Sequence, residues 1–155
     1  GVQVHHLDNM IIWFTGQPGA GKTTMATKLY KRYSEALQLE NIIHLDGDDL
    51  RAVMQNKDYS EKGRRQNIQF AMDMARVLHD KGYTVICSFV SPYRDMREKL
   101  KKSCEVKEFY LQTTQVRGRE DYFVEDYQPP KKNFTYINTN NSEEETFNEI
   151  LNVCG

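Results

Sequence analysis

The segment Gly16-Gln17-Pro18-Gly19-Ala20-Gly21-Lys22-Thr23 constrains this chain more than any other. It fits G-x-x-x-x-G-K-[ST], and it lies between a continuous apolar run, Met10 to Thr15, and an amphipathic stretch from Lys22 to Glu35. A buried strand, a glycine-rich turn and a helix, in that order, make a cradle for phosphate groups. The glycines let backbone N–H groups turn inward around phosphate oxygens, and the helix that starts at Lys22 points its positive end at them. Lys22 then reaches the β- and γ-phosphates, and the Thr23 hydroxyl takes a Mg²⁺ position. Gly16, Gln17, Pro18, Gly19, Ala20, Gly21, Lys22, Thr23 and Thr24 are therefore the candidate nucleotide-binding residues, with ATP and Mg²⁺ as the expected cofactors.

The remainder of the chain alternates strand and helix patterns. Asn41–Leu45 reads as a second strand, Asp48–Met54 as a short helix, and Ser60–Lys81 as a long helix closed by Gly82. Tyr83–Val90 is a third strand, Pro92–Lys102 a helix, Val106–Leu111 a fourth strand, Phe134–Ile137 a fifth, and Ser142–Val153 a closing helix. Strands alternating with helices give a parallel sheet covered on both faces, so the fold class is α/β with five parallel strands. The 155 residues suit one domain, from residue 10 to 155. Residues 1–9, which carry His5 and His6 ahead of Met10, read as a tag or vector remnant. The interval from Gln112 to Asn133 is poor in apolar residues and ends at Pro129–Pro130; after a parallel strand, it reads as a functional lid.

Composition narrows the function classes. Twenty-one Lys plus Arg against 22 Asp plus Glu leave a net charge of −1, too little positive charge for a coat on nucleic acid or an anionic membrane. No apolar run approaches membrane-spanning length. Three scattered cysteines, Cys87, Cys104 and Cys154, match no disulfide or zinc pattern and suit a reducing, cytoplasmic setting. A guanine-reading Asn-Lys-x-Asp segment is absent, which disfavours a GTPase, and a motor would need a larger domain. A small-molecule kinase remains, and it needs an acceptor site.

Three segments qualify. Leu45-Asp46-Gly47-Asp48-Asp49-Leu50-Arg51 places carboxylates at the end of the second strand, where they can hold Mg²⁺ or take a proton from an attacking hydroxyl; Arg51 can hold an anionic acceptor. Capping of the short helix explains one of these aspartates but not the group. On the long helix, Ile68, Ala71, Ala75 and Leu78 form an inward stripe, and Arg64 continues it with Asn67 near its edge. An arginine on a buried stripe needs an anion or an opening of the core. Ser91 and Arg94, in the turn after the third strand, fall on the same sheet edge as the phosphate loop.

Taken together, the phosphate loop, LDGDDLR (45–51), SEKGRRQNI (60–68) and SFVSPYRDMREK (88–99) resemble the adenylylsulfate kinase family of phosphate-loop kinases, in order and in spacing. That family transfers the γ-phosphoryl group of ATP to the 3′-hydroxyl of adenylyl sulfate. The resemblance implies that Lys22, Asp46, Asp48 and Ser91 are catalytic candidates, with Thr23 and Asp46 on the metal. It assigns Asp48, Arg51, Arg64, Asn67, Ser91 and Phe123 to the acceptor, Phe123 as a ring stacking on its base. Ser91 matches a position where some members were assigned a phosphoserine, although direct in-line transfer needs no phosphoenzyme. Homodimerisation is implied by the same analogy.

One departure marks this chain. The family's lid carries a longer charged stretch with an Asp-Pro-Lys-Gly-Leu-Tyr core, and here only Thr113 to Asp121 stands in its place. Arg117 or Arg119 is left to supply the lid's charge to the transferring phosphoryl group, with Arg117 the nucleotide-side candidate. The expected function is phosphorylation of adenylyl sulfate. The alternatives are a kinase of the same family acting on another nucleotide derivative or a sugar, and a non-catalytic ATP-binding regulatory module.

Overall fold

In the computed structural model, which describes residues 9–154, five parallel strands carry the chain. They are β1 (Ile11–Thr15), β2 (Ile42–Asp46), β3 (Thr84–Ser88), β4 (Val106–Gln112) and β5 (Thr135–Asn138), arranged β2-β3-β1-β4-β5. The helices are α1 (Lys22–Lys31), α2 (Gly47–Val53), α3 (Glu61–Asp80), α4 (Arg94–Ser103) and α5 (Glu143–Cys154). Every expected strand and helix is present, with ends moved by a residue or two except at the end of the first helix. The proposed remnant at residues 1–9 falls outside the described residues except for Asn9, whose amide donates to the carbonyl of His79 at 2.7 Å.

Successive side chains of β1 enter opposite layers, as a strand's period of two requires. Ile12 and Phe14 pack with Met25, Leu29 and Ile150 beneath α1 and α5. Ile11 and Trp13 pack with Ala71, Ala75, Met96 and Leu100 beneath α3 and α4. All five β1 side chains are buried, and full burial of large apolar side chains contributes about 1.5–3 kcal/mol each. This central strand therefore fixes where the phosphate loop emerges.

One expectation needs correction. The first helix does not run as an α-helix to Glu35. After Lys31 it widens into a π-helical turn over Arg32–Ala36, closed by the Leu37 N–H on the Arg32 carbonyl at 3.0 Å. Ser34 Oγ takes the Tyr30 carbonyl at 2.7 Å, a side-chain bond of the kind that bends helices. The interval Gln112–Asn133, read from the sequence as a lid, has little regular structure beyond a 3₁₀ turn at Glu120–Tyr122 and is tied down at both ends. The Asn140 side chain accepts from Thr113 Oγ1 at 2.6 Å and from the Thr114 N–H at 2.9 Å. At the far end, the Gln128 N–H donates to the Pro92 carbonyl at 2.9 Å and Arg94 Nε to the Pro129 carbonyl at 2.7 Å. The bolt is Arg97, 2% exposed, which reaches Glu108 at 2.8 Å, the Ser91 carbonyl at 2.6 Å and the Gln128 carbonyl.

Candidate active site

A cleft of about 930 Å³ opens at the carboxyl ends of the strands, bordered by the phosphate loop on one side and by α2 and α3 on the other. Local geometry explains the loop. Gly16 has φ +154°, and a Cβ there would sit 2.4 Å from the Leu111 carbonyl oxygen, so no side chain fits. Gly21, at φ +97°, turns the chain into α1 without offering a capping side chain, and the first turn of α1 holds no acidic residue. Those first N–H groups are left for an anion. The other helices bordering the cleft differ: Asp46 caps α2 through the Asp48 N–H, and Ser60 caps α3 through the Gly63 N–H.

Lys22 is 7% exposed, and its ammonium donates to the Gln17 carbonyl at 2.8 Å. Burial pulls its pKa down to about 8, with Asp46 resisting, Arg119 adding to the fall and Asp48 resisting more weakly. Asp46 is buried, which opposes its charge. Hydrogen bonds from Ser88 Oγ (2.5 Å), Thr23 Oγ1 (2.7 Å) and the Asp48 N–H (3.1 Å) nevertheless hold its carboxyl below the usual carboxylate range. The Asp48 side chain is 69% exposed and lies 3.6 Å from the Arg51 guanidinium. The two aspartates that the sequence left interchangeable are thus distinct: one is saturated with donors, the other is open to the cleft.

Thr23 and Asp46 fit a magnesium ion. They offer hard oxygen donors side by side, one of them an ionised carboxylate. No cluster of three His, Cys, Asp or Glu side chains able to hold a metal occurs among the described residues.

The acceptor candidates Arg51, Arg64 and Asn67 line the same cleft. Arg64 Nε is buried and has no hydrogen-bond partner among the described residues, while its guanidinium carbon lies 5.9 Å from the Tyr93 ring centre. A buried, unpartnered donor on a cation is a site prepared for an anion. Ser91 borders the cleft at 2% exposure, but its Oγ accepts from Trp13 Nε1 at 2.9 Å and donates toward Thr15 and the Phe89 carbonyl. Its hydroxyl is committed to joining β1 to the turn after β3. Phe123 is not brought to the cleft; its neighbours Tyr122 and Val124 are, and so is Tyr59, a ring the sequence reading passed over.

The loop and the lid segment are joined directly. Gln17 donates to the Val124 carbonyl at 2.8 Å and accepts from the Val124 N–H at 2.9 Å. Arg117 spends its guanidinium on the carbonyls of Gly19 and Thr139 and on Gln115. Arg119, whose side chain lies against Gly19, has its guanidinium carbon 5.5 Å from the centre of the Tyr122 ring.

Residues 8–121 match the pattern of the adenylylsulphate kinase family, most of the chain and every segment just described around the phosphate loop, Asp46 and α3. The chain belongs to that family. It is 34% identical over 107 residues to an adenylyl-sulfate kinase of Lactiplantibacillus plantarum, covering 68% of this chain and 51% of that one. It is equally 34% identical over 100 residues to a cytidine diphosphoramidate kinase of Campylobacter jejuni, covering 64% of this chain and 56% of that one. The chain thus spans about half the length of these curated relatives. An APS kinase from Mycobacterium tuberculosis, solved in complex with AMPPNP and APS, superposes with a TM-score of 0.76 over 96% of this chain and 98% of its own, at 22% identity. That likeness speaks for the family fold.

Proposed function

We propose that this chain is a Mg·ATP-dependent nucleotide kinase that phosphorylates the 3′-hydroxyl of adenylyl sulfate. The observation that carries the proposal is the single cleft that puts the phosphate loop, the open carboxylate of Asp48 and the unpartnered Arg64 within one cavity. In this reading the free N–H groups of α1 hold the triphosphate and Lys22 neutralises charge on the transferring group. Thr23 and Asp46 would hold magnesium, which would supply positive charge to the phosphate groups. Asp48 takes the acceptor hydroxyl's hydrogen bond and orients it in line. Arg51, Arg64 and Asn67 bind the anionic acceptor. Arg119, with no carboxylate or carbonyl partner among the described residues, supplies the lid's positive charge, because Arg117 is occupied by backbone carbonyls.

Incubation with Mg·ATP and adenylyl sulfate, followed by phosphorus NMR, tests the proposal: a new 3′-phosphomonoester resonance is expected, and its absence with ADP formed would refute the assignment of the hydroxyl. A second acceptor, another nucleotide derivative, is favoured by two observations. The Campylobacter relative is named for a cytidine nucleotide, and Phe123 stands outside the cleft. A panel of adenine and cytidine nucleotides separates the two by kcat/KM. Binding of ATP without transfer to any acceptor would favour a regulatory module. Homodimerisation and a cytoplasmic setting belong to the same proposal; among the described residues no helix is long and apolar enough to cross a membrane.

A further inference from the structure

His44 lies on β2, an edge strand, two residues before Asp46, so both side chains leave the same face. Asp46 pairs with Ser88 across the sheet, and His44 is the diagonal neighbour of that serine. Its Nε2 lies 2.8 Å from Ser88 Oγ. Ser88 Oγ lies 2.5 Å from Asp46 Oδ1, and Thr23 Oγ1 lies 2.7 Å from the same oxygen. Proton counting fixes the direction of every bond. An ionised carboxylate only accepts, so the single protons of Ser88 and Thr23 both point at Asp46. Ser88 then has only lone pairs to offer His44, and Nε2 must carry the hydrogen. The chain runs from His44 to Ser88 to Asp46, with Thr23 converging from the other side.

The consequence falls on Thr23. Because its proton is given to Asp46, its lone pairs stay available, as a magnesium ligand requires. Asp46 can hold that geometry only while its own carboxylate stays in place, and Ser88 is one of its three donors. An unrestrained serine hydroxyl rotates among neighbouring acceptors; a donor from His44 removes that freedom by filling its lone pair. We propose that His44 is a positioning residue, which locks the Ser88 hydroxyl onto Asp46 and so sets the Thr23–Asp46 pair for magnesium. The proposal rests on the nucleotide-kinase reading of the site. A half-buried histidine that merely satisfies a serine would add stability and nothing more.

The test is the gain in ATP affinity on adding Mg²⁺, measured by calorimetry without any acceptor, beside thermal melts. His44→Ala is expected to cut that gain three- to tenfold while Mg²⁺-free ATP affinity stays within twofold. His44→Gln, whose amide nitrogen reaches nearly as far as Nε2, restores the gain to within twofold; His44→Asn, which is too short, does not. The double variant His44→Ala, Ser88→Ala loses no more than Ser88→Ala alone, since His44 acts through the serine. An undiminished gain in His44→Ala, failure of Gln to outperform Asn, or additive losses would overturn the proposal. If His44→Ala does not fold, the Gln and Asn pair carries the same comparison. A parent protein that binds no Mg·ATP would overturn the kinase reading together with this one, whereas an acceptor other than adenylyl sulfate leaves the measurement intact.

Discussion

The two walls of the cleft are built to opposite rules. On the donor wall, Lys22, Asp46 and Ser88 are buried and, with Thr23, have made their hydrogen bonds before any ligand arrives. On the acceptor wall, Asp48 and Arg51 stand in solvent, and Arg64 keeps a buried nitrogen with no partner among the described residues. Phosphoryl transfer from ATP asks the same of every kinase of this kind, so preorganised charge is an advantage there. The groups that the proposed function assigns to the acceptor are the ones left open, so a ligand could complete them. The connection after β4 shows the same division: its two ends are tied by Asn140 and Arg97, while Gly118 to Phe123 stands largely free between them.

The comparison can be broken first at its support. Arg97→Ala would strand Glu108, 2% exposed, with Lys101 alone, and release the Ser91 and Gln128 carbonyls behind the acceptor wall. Truncating one partner of a buried ion pair costs about 3–5 kcal/mol, so thermal or urea melts should show a loss of that order. A loss below about 1 kcal/mol would mean that the wall is not held from behind. Arg64→Ala should raise the acceptor KM by roughly 10- to 100-fold, the worth of a charge-assisted hydrogen bond, with a much smaller change in ATP affinity. Equal effects on both substrates would erase the distinction between the walls.

The donor wall should also have a pH signature. Lys22 loses its proton near pH 8 in the folded, nucleotide-free protein, because burial disfavours the charge, whereas the unfolded chain keeps it to 10.5. Between those values the unfolded state binds more protons, so the nucleotide-free protein gains stability as pH rises through the window. ATP affinity moves the other way. It requires the ammonium, and it should fall by up to about tenfold per pH unit above 8, with a proton taken up on binding. Calorimetry in buffers of different ionisation enthalpy reads both, and a flat profile in the parent protein would contradict the buried charge. The smallest effect belongs to Phe123→Ala: with its ring outside the cleft, acceptor KM should change less than about twofold. A tenfold rise would show that the free turn closes and brings the ring in.

Much of this was legible in the sequence. The phosphate loop, the five strands and Arg64 follow from local spacing, because a strand's period, a glycine turn and a helical stripe are short-range properties. What escaped was longer in reach. Ser88 and His44 are 42 and 44 residues from their partners, and Gln17 is 107 from Val124. No local pattern encodes such bonds. Arg97 and Glu108 did leave a trace: a cation beside the buried stripe of α4 and an acid in the middle of a strand, each costly alone and therefore a pair. Phe123 comes from the family resemblance alone, and in this structure it does not line the cleft, whereas its neighbours Tyr122 and Val124 do.

Coupled ADP release with Mg·ATP, with and without adenylyl sulfate, tests the account most directly, using Lys22→Ala as the blank. The account predicts release that depends on the acceptor and falls by about 10³ in the variant, through loss of the charge that stabilises the transferring group. Undiminished turnover in Lys22→Ala, or ATP bound by the parent protein with no acceptor-dependent release, would contradict it.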